Sequence, residues 1–441
     1  MSGRTRPPEW ELDDARPRAV LVGVDRAASD WPIEESLAEL EQLSDTAGFE
    51  VVAVTSQRLD RPNPKTFIGA GKAEEVAGLA RSTGASLVVF DDDLSPRQQA
   101  NVETLISGAR ILDRTALILD IFAQHAVSRE GKLQVELAQL EYLLPRLRGM
   151  WTHLERERLG GGRGSRFGAG ESQLETDRRL ARRRIANLRR ELANVAAARD
   201  TQRKARSESG VFRAALVGYT NAGKSTLLNT LTGADALAYD MLFATLDSTT
   251  RRLEMPNGRD LTLTDTVGFI HKLPHGLVEA FKSTLDEVRG ADLLIHVADS
   301  SHPQARAQMA AVDVVLREIG ATHAPRVLVL NKADLLSPLE RNAAAARHPD
   351  AVLVSASTGE GTELLLERLA SEMTRDAIAM TVLVPYTHGE LVRLAHERAH
   401  LVSERHTPEG TLLVMSAPAS IAARFAAYEL TSGEEPGDSE R

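Results

Sequence analysis

An α/β fold in several units is predicted by three observations. Short apolar runs of strand length alternate with amphipathic stretches in three separate parts of the chain. Between the first two of these parts the apolar spacing changes to a 4-3 repeat over residues 132–206, and a glycine-rich turn stands between a buried strand and a helix. The 441 residues correspond to about three domains of ordinary size, which excludes a single small module. Hydrophobic residues make up 42% and charged residues 26%, enough apolar material for several cores and too much for a disordered chain. No apolar run reaches the roughly 18 residues of a membrane span, and Met1 to Pro8 has no apolar core of a signal peptide. The cytoplasm is therefore the expected location, with any membrane association peripheral. Cysteine is absent, which excludes disulfides, thiolate–metal sites and Cys nucleophiles.

After a flexible N-terminus (1–14), residues 15–130 read as an α/β domain. Ala19 to Val24, Phe49 to Thr55 and Leu87 to Phe90 are its strands, with helical patterns at 34–47, 72–82 and 96–107. Within it, Phe67-Ile68-Gly69-Ala70-Gly71-Lys72 sets two glycines and a lysine at a helix start, where backbone amides could meet a phosphate. The spacing is not that of a P-loop, and a glycine turn capping a helix is the stronger reading.

Residues 131–208 change period. Leu133, Leu137, Leu140, Leu144 and Leu147, and then Ala181, Ile185, Leu188, Leu192 and Val195, give two helices an apolar seam each, which predicts an antiparallel helical hairpin. Pro145 should kink or end the first helix. Between them Gly160 to Gly170 holds six glycines, Arg163, Arg166 and Phe167, a tip too flexible to pack on itself. From Arg178 to Arg206 eleven basic residues stand against Glu191 and Asp200, a local +9 in a chain of net charge −9. A solvated helix face is the plain alternative, but this segregation, with an aromatic able to stack on a base, favours nucleic acid, and RNA over DNA. The candidate contacts are Arg163, Arg166, Phe167, Arg178, Arg179, Arg182 and Arg183.

Residues 209–376 alternate strands and helices again: Phe212 to Val217, Leu261 to Thr264, Leu293 to Ala298, Val327 to Leu330 and Ala351 to Val354 predict a parallel, doubly wound sheet. After the first strand, Gly218-Tyr219-Thr220-Asn221-Ala222-Gly223-Lys224-Ser225 fits the P-loop pattern and opens a helix with Thr226. Its backbone amides should wrap phosphates, Lys224 should charge-pair the β and γ oxygens, and Ser225 should ligate Mg²⁺. Asp265-Thr266-Val267-Gly268 ends the next strong strand, where Asp265 can hold the metal's water shell and the Gly268 amide can meet the γ-phosphate. Thr245 lies between them in Phe243-Ala244-Thr245-Leu246-Asp247, placed to close over the metal, and Thr249 and Thr250 are rivals that spacing alone does not separate. Asn331-Lys332-Ala333-Asp334 and Ser355-Ala356-Ser357 follow two further strands. Asp334 can accept from N1–H and the exocyclic amine of guanine, a pattern adenine lacks, so a wrong base would leave a buried carboxylate unsatisfied. Phe269 follows Gly268 where Ras-like GTPases carry a water-orienting glutamine, which predicts slow basal hydrolysis and a need for a partner or a water-ordering rearrangement. Packing under the switch is its other reading.

Residues 377–430 repeat the α/β pattern on a small scale: strand Thr381 to Val384, helix Glu390 to Leu401, strand Thr411 to Met415 and helix Ile421 to Glu429. Residues 431–441 form an acidic tail with nothing to bury. The expected fold is thus α/β: a P-loop GTPase domain with an N-terminal α/β domain, an antiparallel helical hairpin and a small C-terminal α/β domain.

Taken together these motifs resemble the HflX GTPases over nearly the whole chain: Phe67 to Lys72, the glycine-rich tip running into Gly170 to Arg179, Gly218 to Ser225, Phe243 to Asp247, and Asp265 to Ile270. The resemblance implies Thr245 as the switch-I magnesium ligand and a hydrophobic residue at Phe269 as a shared trait. It implies GTP and Mg²⁺ as cofactors, binding to the large ribosomal subunit and its RNA near the peptidyl transferase centre, and splitting or rescue of stalled or idle ribosomes. It assigns the C-terminal domain little beyond a possible ribosomal contact, and it raises ATP binding by the N-terminal domain, for which only Gly69 to Lys72 speaks here. No DNA partner is expected, and the chain is expected to act as a monomer. Two rival readings stand beside this one: a non-ribosomal GTP-dependent switch, and an ATP-driven RNA remodeller, against which Asn331 to Asp334 argues.

Overall fold

The computed structural model describes residues 16–26, 31–147, 169–208, 211–233, 241–243, 245–256, 259–272, 282–375 and 377–430. The first sheet is parallel, in the order β2-β1-β3-β4, from β1 (Arg18–Asp25), β2 (Glu50–Arg58), β3 (Leu87–Phe90) and β4 (Arg110–Asp113). β1 and β3 are buried along almost their whole length, as interior strands covered on both faces must be. Helices α1 (Ile33–Thr46), α2 (Ala70–Thr83) and α3 (Pro96–Leu105) connect the strands, and α4 (Arg114–His125) follows β4. β4 and α4 escape the sequence pattern because they abut without a loop; the Asp113 carboxylate caps α4 by accepting the Ala116 amide at 2.9 Å. Gly69 sits at the N-cap of α2 and donates its amide to Gln57 at 2.9 Å, while Lys72 pairs with Glu75 at 2.7 Å. The turn thus satisfies its own polar groups, in keeping with a helix cap.

Next come α5 (Arg129–Leu143) and α6 (Ala169–Glu208). α5 ends at Leu143, two residues before Pro145. Leu133, Leu137, Leu140 and Leu144 pack on Ile185, Leu188 and Leu192. Across this seam Arg184 donates to both oxygens of Glu136, at 2.6 and 2.7 Å, and Arg189 to Glu141 at 2.7 Å. Part of the basic charge therefore pairs the two helices. Arg179, Arg182 and Arg183 are exposed and Arg178 is half-buried; the tip, with Arg163, Arg166 and Phe167, lies outside the described residues.

The second sheet runs β10-β9-β8-β5-β7-β6, from β5 (Phe212–Gly218), β6 (Thr249–Glu254), β7 (Asp260–Asp265), β8 (Leu293–Asp299), β9 (Arg326–Asn331) and β10 (Val352–Leu353). The expected all-parallel topology is corrected at one edge, where β6 runs antiparallel to β7, pairing Thr249 with Asp265 and Glu254 with Asp260. Leu253 is the buried residue of β6, so the strand carries no apolar run to betray it. Helices α7 (Lys224–Thr232), α8 (Lys282–Arg289), α9 (Ala305–Glu318), α10 (Pro338–Arg347) and α11 (Thr362–Thr374) complete the domain. One continuous apolar core joins the two sheets: Leu40 and Leu43 of α1 and Leu117 and Phe122 of α4 share it with Tyr219, Leu242, Phe243, Val267 and Phe269.

The C-terminal unit departs further from expectation. Its sheet is antiparallel, β11-β13-β12, from β11 (Ala377–Val384), β12 (His400–Thr407) and β13 (Gly410–Pro418). The helix expected to reach Leu401 stops at Arg398 (α12, Gly389–Arg398), because His400 onward pairs with β13. The last helix, α13 (Ala419–Phe425), is followed by a single 3₁₀ turn, Ala426–Tyr428. Met380, Val382, Val384, Leu413, Met415 and Phe425 form a core of its own.

Candidate functional site

The site lies at the C-terminal ends of β5, β7, β8 and β9, where open α/β sheets place ligands. β5 ends at Gly218, whose missing side chain matters: a Cβ there would stand 2.2 Å from the Val297 carbonyl oxygen. The loop then turns through Asn221 at φ 57° and Gly223 at φ 87°, both left-handed, before α7 starts at Lys224. Such a run of left-handed residues turns backbone amides inward, an anion-binding concavity at a helix N-terminus. Thr220, Gly223, Lys224, Ser225, Thr226 and Gly268 are among the residues that line this cleft. The Lys224 Nζ donates to the carbonyls of Gly218 at 3.2 Å and Tyr219 at 2.8 Å. Burial lowers its pKa to about 8, against the opposing pull of Asp265.

A second group converges beside it. Ser225 Oγ donates to Asp265 Oδ2 at 2.6 Å, Thr245 Oγ1 donates to the same oxygen at 2.9 Å, and the two hydroxyls lie 2.8 Å apart. The other carboxylate oxygen, Oδ1 of Asp265, is buried without a hydrogen-bond partner. Two hydroxyls and a half-satisfied carboxylate are the hard oxygen donors that a magnesium ion takes, so these residues fit the ion. Thr249 and Thr250 stand on β6, and Thr250 Oγ1 lies 2.9 Å from Thr264 Oγ1. Thr249 is paired with Asp265 as a strand neighbour, but of the three hydroxyls it is that of Thr245 that bonds both Ser225 and Asp265. Thr266 bonds the Leu216 carbonyl at 2.6 Å and pins the strand end. A Cβ on Gly268 would lie 2.9 Å from Thr220 Cα and 3.0 Å from Lys224 Nζ.

Phe269 turns away from the cleft. Its ring is buried in the shared core, and its contact with the P-loop is made by backbone: Thr220 donates to its carbonyl at 2.7 Å, and its amide donates to Gly218 at 3.1 Å. Val267 is likewise core. Asp247, grouped by its motif with the expected nucleotide-binding residues, is corrected: its carboxylate accepts the amides of Val127 and Ser128 at 2.9 and 2.7 Å instead of facing the cleft. Phe243 lines the cleft at φ 58°, Leu246 is buried, and Ala244 lies outside the described residues.

The base-side motifs meet through Asn331. Its Nδ2 donates to the Ala222 carbonyl at 2.8 Å and its Oδ1 accepts the Ala356 amide at 2.9 Å, tying the P-loop to Ser355-Ala356-Ser357. Ser355 and Ser357 hydroxyls lie 3.0 Å apart. Lys332, at φ 61°, pairs with Asp299 at 2.8 Å, and Ala333 is buried. Asp334 is exposed, which corrects the expectation of a buried carboxylate; burial there would have to come from the base itself.

Sequence reasoning missed a buried polar chain that connects the N-terminal sheet to this site. Arg114 pairs with Asp91 at 2.6 Å and with Glu39, the other oxygen of Glu39 accepts the Tyr219 hydroxyl, and the Tyr219 oxygen accepts the His271 amide at 2.6 Å. Lys272 pairs with Asp91 at 2.5 Å and Asp92 at 3.1 Å. Trp31 stacks on His271 with centroids 4.5 Å apart. Burial, with Arg114 and Lys272 nearby, lowers the His271 pKa to about 4. The strand-end position of Asp91 was a visible signal; its partners, far off in sequence, were not.

Three family descriptions match the chain in order: the GTP-binding GTPase N-terminal region at residues 34–123, the GTP-binding GTPase middle region at 125–206, and the 50S ribosome-binding GTPase at 213–332. The chain is similar to GTPase HflX of Caldanaerobacter subterraneus subsp. tengcongensis, 45% identical over 400 residues that cover 91% of each chain. It is similar to GTPase HflX of Escherichia coli strain K12, 46% identical over 380 residues, 86% of this chain and 88% of that one. Among solved structures it is similar to a GTP-binding protein from the hyperthermophilic archaeon Sulfolobus solfataricus in complex with GDP, with 26% identity, 81% of this chain and 99% of that one covered, and a TM-score of 0.44.

Proposed function

The chain belongs to the HflX family of GTPases, and from that premise we propose that it is a Mg²⁺-dependent GTP switch of the cytoplasm that binds the large ribosomal subunit and its RNA, splits stalled or idle ribosomes, and is released by hydrolysis. The observation that carries this reading is the continuity of one core, through which the P-loop and the segment at Phe243 and Leu246 share packing with the N-terminal domain next to the helical hairpin.

Within this reading, Ser225 and Thr245 would hold Mg²⁺ and Asp265 its water shell, where the ion would supply positive charge to the phosphates. Lys224 exchanges two backbone carbonyls for phosphate oxygens, and the Gly268 amide donates to the γ-phosphate. The amides from Tyr219 to Thr226 wrap the phosphates. Asp334 reads guanine, while Asn331, Lys332 and Ser355 to Ser357 hold the base loop. A buried Phe269 orients no water, so the isolated protein turns over slowly and the ribosome supplies the remaining group. Arg178, Arg179, Arg182 and Arg183, with Arg163, Arg166 and Phe167 at the tip, contact ribosomal RNA through its phosphates and an unstacked base.

The test is GTP turnover by the purified protein with and without large ribosomal subunits, with ATP in parallel, followed by sedimentation of 70S particles. Stimulation confined to GTP, with a loss of 70S particles that needs the triphosphate, supports the proposal. Turnover indifferent to subunits overturns its ribosomal half and leaves the GTP site standing.

A further inference from the structure

Asp247 belongs to the same short segment as Thr245, yet its carboxylate points to the helical hairpin. Oδ2 accepts from the Val127 and Ser128 amides at 2.9 and 2.7 Å, and Oδ1 accepts from the Ser128 hydroxyl at 2.5 Å. Ser128 is the N-cap of α5 and also accepts the Gly131 amide at 2.8 Å. The carboxylate thus sits at the positive end of a 15-residue helix and makes charge-assisted bonds to it. The fit is close: a Cβ on Gly131 would fall 2.5 Å from Asp247 Oδ1. The other end of the segment is held as well. Phe243, in a left-handed conformation, sets its ring edge-on to Phe122 of α4 at 4.7 Å. Between these anchors Thr245 reaches Asp265 at 2.9 Å.

We propose that Asp247 is a positioning residue, which fixes Thr245 over the Mg²⁺ site by clamping its segment to the start of α5, and through which the nucleotide state is felt at the hairpin. The inference rests on the reading of Thr245 as the nucleotide-sensing residue. The clamp lies two positions along the chain from Thr245, so the segment cannot release one end without loosening the other. On the hairpin side the clamp is made by Val127 and Ser128, with Gly131 leaving room for the carboxylate; these residues lie outside the nucleotide cleft and so can be altered separately from it.

The experiment uses the full chain with GDP or a non-hydrolysable GTP analogue, each with Mg²⁺, in three forms: unaltered, Asp247→Asn and Gly131→Ala. Hydrogen exchange at residues 127–131 is read alongside the Mg²⁺ dependence of GTP turnover. In the unaltered protein the analogue slows exchange at Val127 and Ser128 relative to GDP. Asp247→Asn removes that difference and raises the Mg²⁺ concentration for half-maximal turnover about tenfold, the worth of one hydrogen bond to a charged group, with GDP affinity kept. Gly131→Ala favours the helix by propensity but displaces the carboxylate, and shifts the Mg²⁺ dependence in the same direction; a role confined to stabilising α5 leaves it unshifted. Equal exchange with both nucleotides in the unaltered protein, or Gly131→Ala with unaltered Mg²⁺ dependence, overturns the inference. None of these readouts involves ribosomes, so failure to bind the large subunit counts against the proposed function alone.

Discussion

Glu39 of the first helix accepts a hydrogen bond from the hydroxyl of Tyr219 in the P-loop, 180 positions along the chain. Glu39 is held from its other side by Arg114, itself fully buried. Two domains are thus joined at the P-loop by a buried ionic network, where removing one partner costs more than the bond was worth. Replacing Tyr219→Phe leaves Glu39 with Arg114 alone and the His271 amide without its acceptor. The expected loss is about 1–3 kcal/mol of stability, measured by denaturant unfolding.

Lys224 gives a pH dependence. Its pKa stands at about 8 in place of 10.5 because burial penalises the ammonium, whereas polyphosphate needs that ammonium charged. Nucleotide binding therefore takes up a proton above pH 8, so affinity is constant below this value and falls as pH rises through it. The slope approaches about tenfold per unit. GDP titrations at pH 7, 8 and 9 read it directly, and a flat profile contradicts it.

Gly268→Ala places a methyl 3.0 Å from the Lys224 ammonium and 2.9 Å from Thr220 Cα. Backbone on one side leaves little room to yield. GTP turnover should drop about a hundredfold, the usual effect of a displacement near 1 Å at a reacting group. GDP lacks the γ-phosphate, and its affinity should hold.

Asp334→Asn exchanges a charged acceptor for an amide. GTP affinity should weaken about ten- to a hundredfold, with ATP gaining nothing. Unchanged preference for guanine in competition binding would mean that another group reads the base.

Replacing Arg179, Arg182 and Arg183 together by Gln removes exposed charges that lie apart from the pairs Arg184 and Arg189 make across the hairpin. The slope of log affinity for ribosomal RNA against log salt should lessen by about one for each phosphate that an arginine had neutralised, with basal GTP turnover kept. An unaltered slope removes these residues from the RNA surface.

What could be read from the sequence follows what local chemistry can encode. Leu87 to Phe90 is a strand because four apolar residues have to be covered on both faces, and it appears as expected. The phosphate cradle is equally legible, since its glycines and Lys224 are dictated within eight positions. Thr249 to Glu254 and His400 to Thr407 are not, because edge strands made of polar residues draw their order from backbone pairing. Asp247 misled for a related reason: Phe243 and Thr245 of its motif line the cleft, while the amides it binds lie about 120 residues earlier in the chain. The Glu39 network is the extreme case, as Glu39, Asp91 and Arg114 resemble ordinary surface charges until the fold closes over them.

The C-terminal sheet closes its core within residues 380 to 425, from Met380 to Phe425, apart from the apolar clusters of the other two sheets. A unit that satisfies its own burial is a cassette attached behind α11. Cutting the chain behind α11 would therefore leave the apolar clusters under the other two sheets whole, and the unit could unfold without opening the cleft at the P-loop.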